Sequence, residues 1–155
     1  MPSPADLNAQ GDALVALLSG IHPAVSDASI VARGSPVCLP ALIARPTLGE
    51  ATVPNSGGCV CETRWGVYIL ADAALDCLEN SQALVNELVS SCGEHSIPAR
   101  LKPNRKTPTK LTGITAAVHA VDPATSFGLT QFNTDGAPNA YGAVIPVVIR
   151  YECCT

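Results

Sequence analysis

Residues 59–70, CVCETRWGVYIL, alternate in a way that sets the architecture of the chain. Every second residue is suited to a core, while the residues between them are mixed in character. One face carries Cys61, Thr63, Trp65, Val67 and Ile69, and the other carries Val60, Glu62, Arg64, Tyr68 and Leu70. This period of two predicts a β-strand with one face in the core. At an inward position, Trp65 is interpreted as a core residue and not as a stacking platform for a ligand.

The segment that follows, residues 71–92, changes to a helical period. Its apolar stripe consists of Ala71, Ala74, Leu75, Leu78, Val85, Leu88, Val89 and Cys92. Gly93 then ends the pattern. We therefore predict a central helix, with a possible break near Asn80 where Ser81 would cap a fresh start.

The N-terminal residues predict a second amphipathic helix. Ser3 is suited to the N-cap, and Pro4 to the first helical position, where its missing N–H is not needed. The helix should extend to about Ser19, with Gly20 as a left-handed cap. Its apolar stripe consists of Leu7, Leu14, Leu17, Leu18 and Ile21.

The remaining segments predict strands and turns. Residues 28–48 contain three prolines and indicate two short strands, or one interrupted strand, at an edge or in an arm. A loop is expected at 49–58, and a hairpin is expected from strands at 111–121 and 127–133. After a second loop at 134–139 comes a closing strand, Tyr141–Tyr151, in which Pro146 argues for an edge or a bulge.

Together these elements predict one α+β domain over residues 1–155. We expect a mixed or antiparallel sheet flanked by the N-terminal helix and the central helix. A length of 155 residues is typical of one domain and allows a sizeable core. The composition, 47% hydrophobic and 14% charged, excludes a disordered chain.

No membrane or secretory segment is expected. Mean hydropathy is +0.26, yet no window of about 18 residues lacks charges, prolines and glycines. The first 30 residues contain Asp6, Asp12 and Asp27 without any Lys or Arg, which does not resemble a secretory signal. The sequence thus predicts a soluble protein that works in the compartment where it is made.

Seven cysteines in such a chain are expected to be reduced thiols that act mostly as small buried hydrophobes. Their spacing, Cys59-Val60-Cys61 and Cys153-Cys154, does not match a metal-binding pattern. The three histidines, His22, His95 and His119, are isolated in sequence. We therefore predict no metal site and no catalytic thiol.

Catalytic motifs are also missing from the sequence, which has no P-loop, dinucleotide-binding, nucleophile-elbow or zinc-protease signature. His119 lies in an apolar strand and is interpreted as a wall residue in preference to a general base. Asp72 and Asp76 are interpreted as acids at a helix start. The prediction is a protein that is not an enzyme and that carries no cofactor.

Charge is distributed unevenly along the chain. Residues 1–94 hold three cations and ten acids, whereas residues 95–155 hold six cations and three acids, so the halves carry −7 and +3. Five cations lie within eleven positions among prolines that exclude a regular helix: Arg100, Lys102, Arg105, Lys106 and Lys110. This predicts a basic loop. Nucleic-acid binding, a solvated loop and contact with an acidic protein surface are all open. The absence of aromatic residues from the loop and the acidity of the whole chain argue against nucleic acid, and we favour contact with an acidic protein surface.

The order of elements, with three local motifs, resembles the tail terminator (tail completion) proteins of long-tailed bacteriophages. The first motif is DALVALL at 12–18 in the N-terminal helix. The second is RWGVYIL at 64–70, running into a helix over Ser81–Cys92 that contains Ala-Leu-Val-x-x-Leu-Val. The third is Tyr-x-x-Val-x-Pro-Val in the closing strand. The resemblance spans nearly the whole chain.

The resemblance implies a structural virion protein, assembled in the host cytoplasm, that forms a hexameric ring at the head-proximal end of the tail. Its implied partners are further copies of itself, the tail tube protein and a head-completion or neck protein. Genomic DNA would only pass through the lumen, and no membrane is involved. The five basic residues would then contact an acidic tube or a neighbouring subunit. The alternatives are another neck, connector or minor tail protein, or a small bacterial α+β ligand-binding domain.

Overall fold

The computed structural model describes residues 3–72, 78–124, 129–130 and 140–153, and it has an α+β fold, as predicted. These described residues form three α-helices and seven strands. In order they are α1 (Leu7–Leu18), a 3-10 helix (Asp27–Ser29), β1 (Ile30–Val31), β2 (Ala41–Thr52), β3 (Val60–Asp72), α2 (Leu78–Val89), α3 (Ile97–Leu101), β4 (Thr109–Lys110), β5 (Ala116–Val121), β6 (Leu129–Thr130) and β7 (Ala140–Glu152).

The strands form one mixed sheet in the order β1-β2-β3-β7-β5-β4, with β6 also paired to β7. Only the β1–β2 pair is parallel. The centre of the sheet is the long antiparallel pair β3–β7, whose register runs from Val60 opposite Glu152 to Asp72 opposite Ala140. The two strands are far apart in sequence, so this pair joins the middle of the chain to its C-terminal segment.

The core lies between the three helices and one face of the sheet. The predicted inward residues of β3 are all buried, from Cys61 and Thr63 to Ile69, which confirms the alternation. Trp65 is 3% exposed and is confirmed as a core residue. The helices contribute Leu14, Leu18, Val85, Leu88, Ile97 and Leu101 to the same cluster. We call this side of the sheet the inner face, and the opposite side the outer face.

The first helix is capped by Asp6, so the prediction of Ser3 as N-cap is wrong. Asp6 Oδ1 accepts hydrogen bonds from the backbone N–H groups of Asn8 (2.9 Å) and Ala9 (3.4 Å). Ser3 instead forms the turn before the helix, accepting the Asp6 N–H at its carbonyl (2.9 Å). Gly20 has a φ of +70°, which confirms the left-handed conformation expected after the helix.

The central helix begins later than predicted, because β3 continues through Ala71 and Asp72. Both residues pair with β7, and this tertiary pairing outweighs the local helical period. Asp72 is therefore not a helix-start acid, while Asp76 lies outside the described residues. Helix α2 is continuous over Leu78–Val89, so there is no break at Asn80. Ser81 lies within it and donates its hydroxyl to the Asp72 carbonyl at 2.7 Å.

Residues 28–48 contain two strands, but only β1 is short, so the prediction of two short strands is correct in number and wrong for the length of β2. Strand β2 extends to Thr52, so the loop expected from residue 49 is shorter than predicted. Pro46 lies inside β2 at a shift in register against β3. A bulge or irregularity of this kind is a position at which a strand tolerates a proline.

The predicted hairpin after residue 111 is also corrected. Of the strand predicted at 111–121, the structure has Ala116–Val121 as a strand. This strand forms a hairpin with β4 through a turn in which Gly113 has a φ of +86°. Strand β6 pairs with β7 and not with β5. The rest of the predicted strand at 127–133 and the predicted loop at 134–139 lie outside the described residues.

Pro146 lies in a central strand and pairs with Gly66 of β3 without a shift in register, so the prediction of an edge or a bulge is wrong. The Pro146 carbonyl accepts the Asp122 N–H at 2.9 Å, so the proline nitrogen faces the β5 side of β7. The β5–β7 register ends one residue earlier, at Val121 opposite Val147. A missing donor is therefore tolerated because it falls where β5 leaves the sheet.

The prediction of reduced, buried cysteines is wrong. Cys61 and Cys153 form a disulfide with a Cα–Cα distance of 5.7 Å, and Cys59 is also disulfide-bonded. Cys38 and Cys92 are free but exposed, while residues 77 and 154 lie outside the described part. The cause is the β3–β7 register, which brings together residues 92 positions apart. Local spacing carries no trace of that pairing.

Candidate functional site

Arg100 does not belong to the predicted basic loop. It lies in α3, which begins despite Pro98 because a proline in the first helical turn has no donor to lose. Its guanidinium donates to the carbonyls of Leu17 (3.3 Å) and Ser19 (3.0 Å). Arg100 therefore caps the C-terminus of α1, a structural role that favours a cation.

The other four predicted contact residues form what we call the cationic loop: Lys102, Arg105, Lys106 and Lys110. Three of them are exposed, Lys102 is half-buried, and Lys110 belongs to the edge strand β4. Lys102 Nζ donates to the Arg105 carbonyl at 3.2 Å, and Asn104 Oδ1 accepts the Lys106 N–H at 2.9 Å. These short-range bonds shape the loop before any partner arrives.

The cationic loop is not neutralised by the described part of the chain. Three arginines elsewhere are paired: Arg33 with Asp12 (2.8 Å), and both Arg64 and Arg150 with Glu62 (3.2 Å each). Among the described residues, no carboxylate lies within 4.0 Å of a charged nitrogen of the cationic loop. Four positive charges thus stand together on an otherwise acidic protein, which is the pattern expected where an anionic surface binds.

His119 on β5 lies close enough to this positive charge for its pKa to be affected. Burial, followed by the charges of Arg150 and Lys102, lowers the pKa of its imidazole below 6.5, and Glu62 opposes them. Arg150 and Lys102 reach it from the neighbouring strand and from the cationic loop. The half-buried position agrees with the interpretation of His119 as a wall residue.

The outer face of the sheet is a second candidate surface. Ile43 and Leu70 are buried there against Val31, Leu39 and Tyr68, without a helix from the described residues packing on them. Further along the same face, Val144 and Pro146 are half-buried. The face then becomes charged at Glu62, Arg64 and Arg150. Because Ile43 and Leu70 are covered, the accessible apolar part of this face consists of half-buried side chains such as Tyr68, Val144 and Pro146. Apolar side chains beside a polar rim are common in protein contact surfaces.

A third feature was not predicted from the sequence: His22, His95 and Glu87 meet at one place, so His22 and His95 are not isolated in space. One ligand atom from each lies within 4.8 Å of the others. His22 follows α1, Glu87 lies on α2 and His95 follows α2, so 65 residues separate His22 from Glu87. Helix packing alone brings them together, and no local spacing could have indicated it.

Two open grooves meet at this cluster. One of about 400 Å³ is lined by His22, Leu39, Pro40, Ser81 and Glu87, among others. The second is lined by Glu87, Cys92, Glu94 and His95. Solvent and small ions therefore have a path to the two rings.

Comparison with known proteins assigns no family to the chain. No protein-family model matches it, and no curated protein shows significant similarity to it. Among the described residues, no helix combines the length and apolar character needed to cross a membrane.

Proposed function

We propose that this protein is a structural subunit of a phage tail, a terminator that forms a ring on the head-proximal end of the tail tube. The ring would stop tube polymerisation and present the surface that joins the head. Its partners would be other copies of the chain, the tube protein and a neck protein. The proposal rests on the resemblance of the sequence motifs and on the surfaces described above.

The cationic loop is the observation that supports the proposal most. Its cations have no described carboxylate partners, and side-chain to backbone bonds already order the segment that carries them. An ordered, unneutralised loop loses little conformational entropy on binding an acidic surface. Such a loop is suited to binding an acidic surface of another protein.

The outer face supports self-association. A ring requires two different surfaces on each subunit that fit each other with a rotation that closes. The chain has surfaces of different character: the cationic loop at the β4 edge, and the outer face with its apolar area around Tyr68 and Val144. Exposed acids on another side, such as Glu79 and Glu94, make a neighbouring copy a second possible partner for the loop.

The test is binding to tail tubes isolated from the phage that encodes the chain. In the test variant all four cations of the cationic loop are replaced by serine (Lys102→Ser, Arg105→Ser, Lys106→Ser, Lys110→Ser). We expect its co-sedimentation with tubes to fall strongly at low salt and less at high salt, because salt screens exposed charges. Arg100 is left unchanged, since it caps α1.

A charge-conserving variant is the matched control. Exchanging Lys for Arg and Arg for Lys at the same four positions keeps every charge, and we expect it to bind tubes as the natural chain does. Equal tube binding by the serine variant and the control at low salt would reject the electrostatic contact.

A further inference from the structure

The cluster of His22, Glu87 and His95 is independent of the surfaces used in the proposed function. We propose that it is a zinc-binding site, with one nitrogen from each ring and one carboxylate oxygen as the protein ligands. The set of two imidazoles and a carboxylate suits Zn²⁺, which takes such ligands with solvent in a fourth position. This inference does not depend on the proposed role in a tail.

One distance in the cluster is close to that of a tetrahedral ion, and the three ligand atoms all lie within 4.8 Å of one another. His22 Nε2 lies 3.1 Å from Glu87 Oε2. In a tetrahedral zinc site with bonds of about 2.0–2.1 Å, neighbouring ligand atoms are roughly 3.3 Å apart. The ring centroids of His22 and His95 are 4.4 Å apart, with the rings inclined at 53°. His22 and Glu87 are already at nearly the required separation, so the adjustment needed to bind one ion is an approach of His95 to that pair.

His95 is already oriented as a ligand. Its Nδ1 lies 2.8 Å from the Ile21 carbonyl, an acceptor, so the neutral ring carries its proton on Nδ1. The lone pair is therefore on Nε2, which lies 3.2 Å from a carboxylate oxygen of Glu94. Two acceptors repel each other at this distance, and a cation placed between them would remove the repulsion. Metal-binding histidines commonly donate the other ring N–H to a backbone carbonyl in this way. Glu94, which is exposed, is within reach of the site and adds negative charge beside it.

His22 must change its tautomer before it can bind an ion. Its Nδ1 accepts the Ala24 N–H at 3.0 Å, which places the proton of the neutral ring on Nε2, facing Glu87. On coordination through Nε2, that proton moves to Nδ1, and the hydrogen bond from the Ala24 N–H is lost because Nδ1 can no longer accept it. The change of tautomer and the lost hydrogen bond weaken binding, so we expect lower affinity than that of a closed structural site.

A bound ion would connect three separate segments: the turn after α1, helix α2 and the turn before α3. None of these is joined covalently to another by a disulfide within the described residues. Zinc should therefore stabilise the helical layer against unfolding, because a ligand that binds only the folded state adds to its stability.

The experiment is titration of the tag-free full chain with Zn²⁺ by isothermal calorimetry. We expect one ion per chain, with an affinity that falls about tenfold or more in His22→Asn, His95→Asn and Glu87→Gln. His119→Asn and Glu79→Gln are matched controls, since His119 lies on β5 and Glu79 is exposed at the start of α2; both should bind zinc normally. Glu87 is exposed, so Glu87→Gln should fold even if a histidine variant does not.

Thermal unfolding gives a second measurement. Zinc should raise the unfolding midpoint of the natural chain and of His119→Asn, and should raise it less in Glu87→Gln. Absence of zinc binding to the natural chain would overturn the proposal. So would binding that is kept in the histidine and Glu87 variants but lost in Cys92→Ser, because the ion would then be held by the free thiol in the adjoining groove.

Discussion

Trp65 of β3 donates its indole N–H to Gln10 Oε1 of α1 over 3.0 Å, and both side chains are buried. The same oxygen accepts the Thr63 hydroxyl at 2.6 Å, and Gln10 Nε2 donates to the Pro4 carbonyl at 2.6 Å. The buried amide thus has hydrogen-bond partners at both its oxygen and its nitrogen, and it links the first helix to the central strand. The network fixes α1 on the inner face of the sheet.

Removal of this amide should destabilise the protein strongly. Gln10→Ala leaves the buried donors of Trp65 and Thr63 without a partner, and we expect a loss of about 2–4 kcal/mol in unfolding free energy. Gln82→Ala, at an exposed position of α2, should change stability by no more than about 0.5 kcal/mol. Urea unfolding measures both, and a loss below about 1 kcal/mol for Gln10→Ala would contradict the role assigned to the network.

Arg100 should matter for stability and not for partner binding. Arg100→Ala removes two charge-assisted hydrogen bonds at the C-terminus of α1, at a cost of about 1–2 kcal/mol. Arg105→Ala, in the cationic loop, should stay within about 0.5 kcal/mol of the natural chain. Chemical unfolding separates the two variants. If they lost equal stability, the capping role of Arg100 would be wrong.

The cysteines should differ in reactivity. In the unreduced native protein, a maleimide should label peptides containing Cys38 and Cys92, because both thiols are free and exposed. Cys61 and Cys153 should be labelled only after reduction. Mass spectrometry of the digested protein measures the labelling at each site. Labelling of Cys61 before reduction would show that the chain is reduced, as the sequence alone had suggested.

His119 gives a pH dependence with a defined sign. Its folded-state pKa lies below 6.5, so the unfolded chain binds more protons as the pH falls. The stability linked to His119 is complete above about pH 6.5 and decreases as the pH falls through the folded pKa. NMR titration should give a pKa below 6.5, and Arg150→Gln should raise it. A pKa at or above 6.5 in the natural chain would contradict the positive field at this end of the sheet.

Local patterns of the sequence predicted much of the fold. The alternation around Trp65 and the apolar stripe of α1 reflect burial, which repeats with the period of the element. Pairing between distant segments has no such local trace. The Cys61–Cys153 disulfide and the central place of Pro146 both follow from the β3–β7 register, and so does the strand conformation at Ala71.

The candidate sites divide in the same way. The cationic loop could be predicted because its cations are close in sequence. That Arg100 caps α1 and does not belong to the loop could not be predicted, because it depends on how α3 packs. The meeting of His22, Glu87 and His95 depends wholly on helix packing. Sequence spacing can reveal a site built on one segment, and it cannot reveal one assembled from three.

The central claim is control of tail length, and deletion of the gene from the phage that carries it tests this most directly. Tail lengths in the lysate are measured by negative-stain electron microscopy. The account predicts tubes of uncontrolled length beside filled heads that are not joined to tails, with normal lengths restored by the natural chain supplied in trans. Tails of normal length in the deletion lysate would contradict it.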